Sequence, residues 1–265
     1  MASSTPRSDP VLYNSDFLRP GDRDSSLGLI LLNRPLPLVT LHLWQRAAIR
    51  ICADGGANRL HDELPSLIRD RPAAELRDQF LPDLIAGDLD SIRPSVMEFY
   101  QKRGVKLLDL SEDQMTTDLT KNLHCMQQLR EQRQLPEPFT MVAVGGIGGR
   151  LDHVLANLNA LYTHRDVRLV LCGDDNLTRL IPRGRAVIRP GRPLEGPTCG
   201  LIPLQGPAVG TSSGLRWNLE STKMQVGGLI STSNIMDADE IAVESDSDLV
   251  WTVEYDDGMF ARVAE

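Results

Sequence analysis

Short apolar runs alternate with amphipathic segments between residues 27 and 175 of the chain. Such runs predict buried strands, and the longer segments between them predict helices. The predicted strands are Gly28–Leu32, Ile49–Ala53, Leu84–Ala86, Val105–Leu108, Thr140–Val144 and Arg168–Cys172. The predicted helices include Leu41–Ala47, one that begins near Pro94, a long one over 112–133 and one that ends near residue 162. This alternation predicts an α/β N-terminal domain with a mostly parallel sheet.

The pattern changes after residue 176, where glycine and proline become frequent and helical segments disappear. Short strand-like runs occupy Ala186–Ile188, Gly200–Pro203, Met224–Val226, Ile241–Glu244 and Leu249–Tyr255. We therefore expect a flexible leader over 1–26, an α/β domain over 27–175 and an all-β C-terminal sandwich or barrel over 176–265.

Composition narrows the class of protein. The formal net charge is −8, which argues against a nucleic-acid partner. No apolar stretch reaches the length of a membrane span, so no membrane association is expected. The four cysteines show no zinc or C-x-x-C spacing. Cys52 and Cys172 lie in apolar runs, which predicts buried free thiols in a cytoplasmic protein.

Two carboxylates, Asp88 and Asp90, follow the third predicted strand in the segment Gly87–Ser91. If strand geometry persists, both side chains project to the same side, and a cation is needed to hold them together. Mg²⁺ binds carboxylates together with substrate phosphates, and open α/β sheets bind ligands at the carboxyl ends of their strands. A surface turn is the alternative interpretation, since Gly, Asp and Ser all favour turns.

The long predicted helix carries a polar stripe of Gln114, Asp118 and Lys121. Its opposite stripe, predicted to face the core, consists of Met115, Leu119, Leu123 and Met126. An ordinary surface ion pair between Asp118 and Lys121 is the alternative interpretation of the polar stripe.

A glycine-rich turn at 145–149 follows a predicted strand and opens a helix. Exposed N–H groups at a helix start attract phosphate, and Arg150 adds a fork of donors. Asp152 is a candidate Mg²⁺ ligand or a residue that favours the helix start, and His153 is a candidate phosphate ligand or a support for Asp152. The turn matches neither the dinucleotide-binding fingerprint nor the P-loop.

Six segments, taken together and in order, resemble the thiamine pyrophosphokinase family in its eukaryotic form. They lie at residues 53–59, 87–94, 113–121, 149–152, 214–219 and 228–234. The resemblance implies transfer of pyrophosphate from ATP to the hydroxyethyl group of thiamine, with release of AMP. It also implies Mg²⁺ dependence and a homodimer whose active site lies at the subunit interface.

The resemblance assigns roles residue by residue. It implies that four carboxylates bind Mg²⁺ and serve catalysis, namely Asp88, Asp90, Asp118 and Asp152. It places Lys121 and Arg150 on phosphate oxygens as further catalytic groups. It places Asp54, Gly55, Gly56, Thr117 and His153 near the nucleotide. It implies that Trp217 stacks on thiamine, with polar contacts from Gln114, Ser231, Ser233 and Asn234.

Three other functions are compatible with parts of the sequence. A glycosyltransferase would use Asp88 and Asp90 as its D-x-D metal pair but leaves the Asp118 and Lys121 stripe unexplained. A phosphohydrolase with an aspartate nucleophile gives the all-β domain no role. A non-catalytic thiamine or nucleotide sensor would not need all of the acidic residues.

Overall fold

The computed structural model describes residues 9–19, 21, 23–68 and 71–263, so the first eight residues of the predicted leader lie outside the described residues. The strands are β1 (Val11–Asn14), β2 (Asp24–Leu31), β3 (Ala47–Ala53), β4 (Leu84–Gly87), β5 (Lys106–Asp109), β6 (Thr140–Val144), β7 (Arg168–Gly173), β8 (Asn176–Ile181), β9 (Gly184–Arg189), β10 (Glu195–Ile202), β11 (Ala208–Ser213), β12 (Thr222–Met224), β13 (Ser231–Ile235), β14 (Ile241–Ser245) and β15 (Leu249–Tyr255). The helices are α1 (Val39–Arg46), α2 (Gly56–Leu67), α3 (Ala73–Gln79), α4 (Pro94–Gln101), α5 (Asp118–Gln132) and α6 (Leu151–Thr163), with 3₁₀ turns at Asp16–Leu18 and Asp257–Val263.

The chain divides into two compact units. The α/β unit comprises Pro20–Leu177 and Asp257–Glu265, and the β unit comprises Met1–Arg19 and Thr178–Asp256. The predicted fold class, an α/β domain with a mostly parallel sheet followed by an all-β domain, is confirmed.

The sheet of the α/β unit has the strand order β7-β6-β2-β3-β4-β5, and all of its pairs are parallel. The chain runs outward from β2 through β3 and β4 to β5, and then crosses back to place β6 on the other side of β2. The direction of strand addition therefore reverses between β2 and β6. In open parallel sheets, ligands bind outside the carboxyl ends of the strands at such a reversal.

Helix α5 packs against β3 and β4 through its apolar face. Leu119, Leu123 and Met126 on this face are buried, as the sequence predicts. The predicted start of the helix at residue 112 is wrong, because the Thr117 side chain caps the helix by accepting the Thr120 N–H, and the helix begins at Asp118. Met115 lies before the helix and is 93% exposed, so its predicted place in the core is also wrong.

The β unit contains a sheet of order β1-β9-β14-β11-β12 and a second group of neighbouring strands, β13-β10-β15-β8. Buried and exposed residues alternate along β11 and β14, so each of these strands has one face in the core. The sequence predicts β15 with its observed bounds but does not predict β8, β11 or β13, in which polar residues interrupt the apolar positions.

Part of the predicted leader is ordered within the β unit. Strand β1 pairs in parallel with β9, and the Asn14 carbonyl accepts a hydrogen bond of 2.9 Å from the Arg179 guanidinium. The Ser15 hydroxyl donates to Glu195 at 2.9 Å and accepts from Arg179 at 2.7 Å, and all three side chains are buried. Composition suggests a loose segment, whereas residues 11–18 are held by partners far away in the sequence.

In the part of the chain that the structure describes, no helix is both long and apolar enough to cross a membrane. Cys52, Cys125, Cys172 and Cys199 are all free and buried, which confirms the prediction for Cys52 and Cys172.

Candidate functional site

The acidic segment after β4 is a loop and does not continue the strand. β4 ends at Gly87, and Leu89 adopts a left-handed backbone with a φ of 58°. The backbone therefore turns between Asp88 and Asp90, so strand geometry does not set the relation between their side chains.

Asp54, at the end of β3, holds this acidic loop in place. Its carboxylate accepts backbone N–H bonds from Ser91 at 3.1 Å and from Ile92 at 2.9 Å. Its own N–H donates to the Ala86 carbonyl at 3.0 Å. Asp54 is itself buried, and these hydrogen bonds support the loop that carries Asp90.

Lys121 is buried on the first turn of α5 and forms an ion pair with Asp88. Its side chain is 3% exposed, whereas that of Asp88 is 29% exposed. The neighbouring Asn122 side chain donates to the Ala86 carbonyl at 3.1 Å and thereby ties α5 to the end of β4. The interpretation of Lys121 as half of a surface ion pair with Asp118 is therefore wrong. Gln114 lies before α5, so it does not share a helical stripe with Asp118.

Carboxylates crowd together at this edge of the sheet. The pKa of Asp118 is raised above its usual value, first by burial and then by the negative charges of Asp54, Asp88 and Asp90, while Lys121 acts in the opposite direction. The pKa of Asp54 is raised too, mainly by burial. Negative charge thus exceeds the positive charge that Lys121 supplies, and the ionised cluster favours a cation.

The four carboxylates expected to hold Mg²⁺ are not all brought together. Asp152 forms an ion pair with Arg150 at 2.6 Å, with the two side chains 63% and 72% exposed. Arg150 lowers the pKa of Asp152 by hydrogen bonding. Asp54 instead of Asp152 joins the cluster of Asp88, Asp90 and Asp118. Within the described ranges, no group of three or more His, Cys, Asp or Glu side chains is arranged to hold a metal ion.

The glycine-rich turn between β6 and α6 is tightly folded. Gly145, Gly148 and Gly149 have φ values of 83°, 99° and 77°, a region that favours glycine. The Gly145 N–H donates to the Cys172 carbonyl at 2.8 Å, and the Asn157 side chain donates to the Gly146 carbonyl at 2.9 Å. These bonds anchor the turn to β7 and to α6.

A cavity of about 480 Å³ lies between the acidic cluster and the glycine-rich turn. It is lined by Leu32, Asn33, Arg34, Asp88, Ser91, Thr116, Thr117, Asp118, Leu119, Gly145, Gly148, Arg150, His153, Ala156 and Asn157. Five of the predicted site residues are among them: Asp88, Thr117, Asp118, Arg150 and His153. The cavity sits where the order of the strands reverses, between the ends of β2 and β6.

Three polar residues of this cavity lie outside every candidate site segment that the sequence analysis singled out, namely Asn33, Arg34 and Asn157. Asn33 and Arg34 directly follow the apolar run of β2, just as Asp88 follows β4. A polar residue directly after a predicted strand is the sequence signal that could have identified both as site residues. Asn157 lies within a helix and carries no such signal.

Gly55 and Gly56, predicted to lie near the nucleotide, have a packing role. A Cβ at Gly56 would meet the backbone of Leu31, and a Cβ at Gly55 would meet the Asn33 side chain. The close approach of the α2 start to the end of β2 therefore requires glycine at both positions.

In the β unit, Trp217 is presented to solvent by a buried asparagine. The Trp217 side chain is 59% exposed, whereas Asn234 is 2% exposed. The Asn234 amide donates to the Trp217 carbonyl at 2.8 Å and accepts the Trp217 N–H at 3.2 Å. Asn234 therefore fixes the backbone of Trp217, and its polar atoms are engaged within the fold. Ser231 is half-buried near Asn234, and Ser233 is exposed.

Gln114 is exposed, and its amide donates to the Ser111 carbonyl at 2.7 Å.

Comparison with known proteins agrees with this arrangement. A family model described as "Thiamin pyrophosphokinase, catalytic domain" matches residues 40–171, and one described as "Thiamin pyrophosphokinase, vitamin B1 binding domain" matches residues 185–250. Thiamine pyrophosphokinase 1 of Arabidopsis thaliana is 46% identical over 92% of this chain and 93% of its own length. The thiamine pyrophosphokinase of Saccharomyces cerevisiae is 26% identical over 90% and 88%.

Solved structures share the fold. The thiamin pyrophosphokinase from Candida albicans superposes with a TM-score of 0.78 at 26% identity and covers 97% of both chains. A yeast thiamin pyrophosphokinase gives a TM-score of 0.82 at 23% identity, covering 98% of this chain and 96% of its own. The two matched domains and the plant relative together establish that this chain belongs to the thiamine pyrophosphokinase family, whose reaction is the ATP-dependent formation of thiamine diphosphate.

Proposed function

We propose that ATP binds with Mg²⁺ in the cavity of the α/β unit and that the β unit supplies the thiamine contacts. The observation that carries this proposal is a single cavity with crowded carboxylates on one side and a glycine-rich turn on the other. In the transfer, the hydroxyl oxygen of thiamine forms a bond to the β-phosphorus of ATP. The bond from that phosphorus to the α–β bridging oxygen breaks, and AMP leaves.

The acidic cluster is suited to Mg²⁺, which takes hard oxygen ligands from one or two carboxylates and from substrate phosphates. Asp88 and Asp90 supply such oxygens, and we reassign Asp118 from metal ligand to proton acceptor, because no group of three carboxylates in the described residues is arranged to hold a metal ion. When bound, Mg²⁺ supplies charge stabilisation for the phosphate oxygens. Lys121, ion-paired with Asp88, positions that carboxylate and neutralises part of the cluster.

The remaining residues of the cavity bind and orient the nucleotide. Arg150 offers the Nη1 donors of its guanidinium to phosphate oxygens, because its Nε and Nη2 already bond to Asp152, which orients the group. Thr117 and His153 line the same cavity and contact the nucleotide. Asp54 acts through the acidic loop that it holds.

Asp118 is the group that we assign as acceptor of the hydroxyl proton. Burial and its acidic neighbours raise its pKa, which increases its affinity for a proton. Its place at the start of α5 puts it on the cavity wall.

We assign thiamine binding to the β unit, and we keep Gln114 as a predicted polar contact of thiamine. The exposed Trp217 ring stacks on thiamine, and Ser231 and Ser233 add polar contacts. Asn234 is reassigned from a direct contact to a positioning residue, because its amide already bonds to the Trp217 backbone.

We further propose that the chain forms a cytoplasmic homodimer with its active site at the subunit interface. Free buried cysteines are consistent with a reducing compartment. Leu151 and Leu155 expose 70% and 55% of their surface one turn apart on α6, which is consistent with a face that a second subunit covers.

Light scattering on the purified chain should give twice the 29.3 kDa mass of the monomer, and a monomeric mass would contradict the dimer.

Incubation of the purified chain with ATP, Mg²⁺ and thiamine should give thiamine diphosphate and AMP in equal amounts. Mass analysis of the products is the measurement, and a chelator should stop product formation. Release of free phosphate, or of ADP with thiamine monophosphate, would contradict pyrophosphate transfer.

Two alanine variants should separate catalysis from stability. Asp88→Ala and Asp90→Ala should each lower kcat at least 100-fold, because each removes a proposed metal ligand. Only Asp88→Ala leaves the buried Lys121 ammonium without its partner, so it should also destabilise the unit by about 2 kcal/mol. Thermal unfolding should show a drop of about 5 °C for Asp88→Ala and little change for Asp90→Ala. Equal stability of the two variants would argue against a structural role for the Asp88–Lys121 pair.

Trp217→Ala should raise the KM for thiamine about tenfold and leave the KM for ATP unchanged, because stacking is lost while the nucleotide cavity is intact. Trp217→Phe keeps a ring and should retain most of the affinity. Asn234→Ala should also raise the thiamine KM, and it should lower the unfolding temperature because two backbone groups of Trp217 lose their partner. Steady-state kinetics with each substrate varied in turn is the measurement. A normal thiamine KM in Trp217→Ala would exclude stacking.

A further inference from the structure

Arg34 lies where the order of the strands reverses in the α/β unit. It follows β2, whose Leu31 pairs with Val144 at the end of β6, and it lines the 480 Å³ cavity together with Gly145 of the glycine-rich turn. Ligands of open parallel sheets bind at this position. Arg34 lies outside the six segments that resemble the family, so the strand order indicates its place at the site and the resemblance does not.

The glycine-rich turn is shaped to receive the Arg34 side chain. A Cβ at Gly145 would come within 2.8 Å of the Arg34 Cβ and 3.1 Å of its Cγ. A Cβ at Gly149 would come within 2.6 Å of the guanidinium carbon. The stem and the head of Arg34 therefore lie along the turn, and any larger residue at either glycine would displace them.

The other cations near the cavity are engaged. Lys121 is buried against Asp88, and Arg150 is paired with Asp152. Arg59 bonds to Glu63 and to Asn33. Among the residues that the structure describes, the Arg34 side chain forms neither an ion pair nor a hydrogen bond. Its guanidinium thus retains the donors that a ligand anion needs.

We infer that Arg34 binds the phosphate chain of the nucleotide and holds it against the glycine-rich turn. This inference rests on the proposed function, since it concerns the same cavity. A guanidinium presents a planar fork of donors that matches phosphate oxygens, and it repels the cationic ring of thiamine. Arg34 is therefore assigned to nucleotide affinity and not to thiamine affinity.

Arg34→Gln tests the assignment, with Arg168→Gln as the matched control. Arg168 is exposed and is the first residue of β7. It therefore lies at the amino ends of the strands, whereas the cavity lies at their carboxyl ends. Both substitutions remove one positive charge from the α/β unit. Calorimetric titration with MgATP in the absence of thiamine should give a Kd at least tenfold higher for Arg34→Gln and unchanged for Arg168→Gln. Arg34→Lys, which keeps the charge but loses the fork, should give an intermediate Kd.

Kinetics provide the second readout. Arg34→Gln should raise the KM for ATP with the KM for thiamine and the unfolding temperature unchanged, whereas a merely structural role would lower the unfolding temperature. An unchanged Kd for MgATP in Arg34→Gln, or an equal loss in Arg168→Gln, would overturn the inference.

The proposed function is judged separately, by thiamine diphosphate formation in the unaltered chain. If that chain binds MgATP but makes no product, the proposed function fails, while the Kd values of the variants still decide the role of Arg34. If the unaltered chain does not bind MgATP at all, the inference about Arg34 is overturned as well.

Discussion

The order of the parallel strands is the constraint on which the rest of the site depends. Because β2 lies between β3 and β6, the ends of β2, β4 and β6 open toward one edge of the sheet. Three segments that are distant in the sequence, at residues 32–34, 88–91 and 145–150, thereby line one cavity. Each segment alone is an ordinary turn. Their shared edge places crowded carboxylates and a glycine-rich turn on two sides of one cavity.

The acidic cluster lowers the stability of the α/β unit locally. Burial and mutual repulsion raise the pKa of Asp118, and the single ammonium of Lys121 offsets only part of the negative charge. Mutual repulsion makes this arrangement unfavourable, and the proposed cation would relieve the repulsion. Such an excess of negative charge is typical of functional sites, where a destabilising arrangement is retained because it favours ligand binding. The surrounding core of β3, β4 and α5 is built mainly from buried apolar side chains.

The two units use the same arrangement to position a predicted site residue. In each, a buried polar side chain bonds to the backbone of an exposed loop. Asp54 accepts N–H bonds from the acidic loop, and Asn234 bonds to both backbone groups of Trp217. A backbone held by two hydrogen bonds presents its side chain in one orientation, which lowers the entropic cost of binding. A positioning residue of this type resembles a ligand contact in sequence, because both functions call for the same polar residue types.

The amino-acid sequence by itself determined the strands of the α/β unit, the all-β character of the C-terminal unit and five of the residues that line the cavity, since apolar periodicity and polar residues after strands are local signals. It misplaced the start of α5, because the polar residues before Thr117 fit a helix equally well until the cap is seen. Only the tertiary structure decided that residues 11–18 are ordered, that Lys121 pairs with Asp88, and that Arg34 faces the glycine-rich turn. Each of these depends on which strands become neighbours, and strand order is a property of the whole chain that no local pattern encodes.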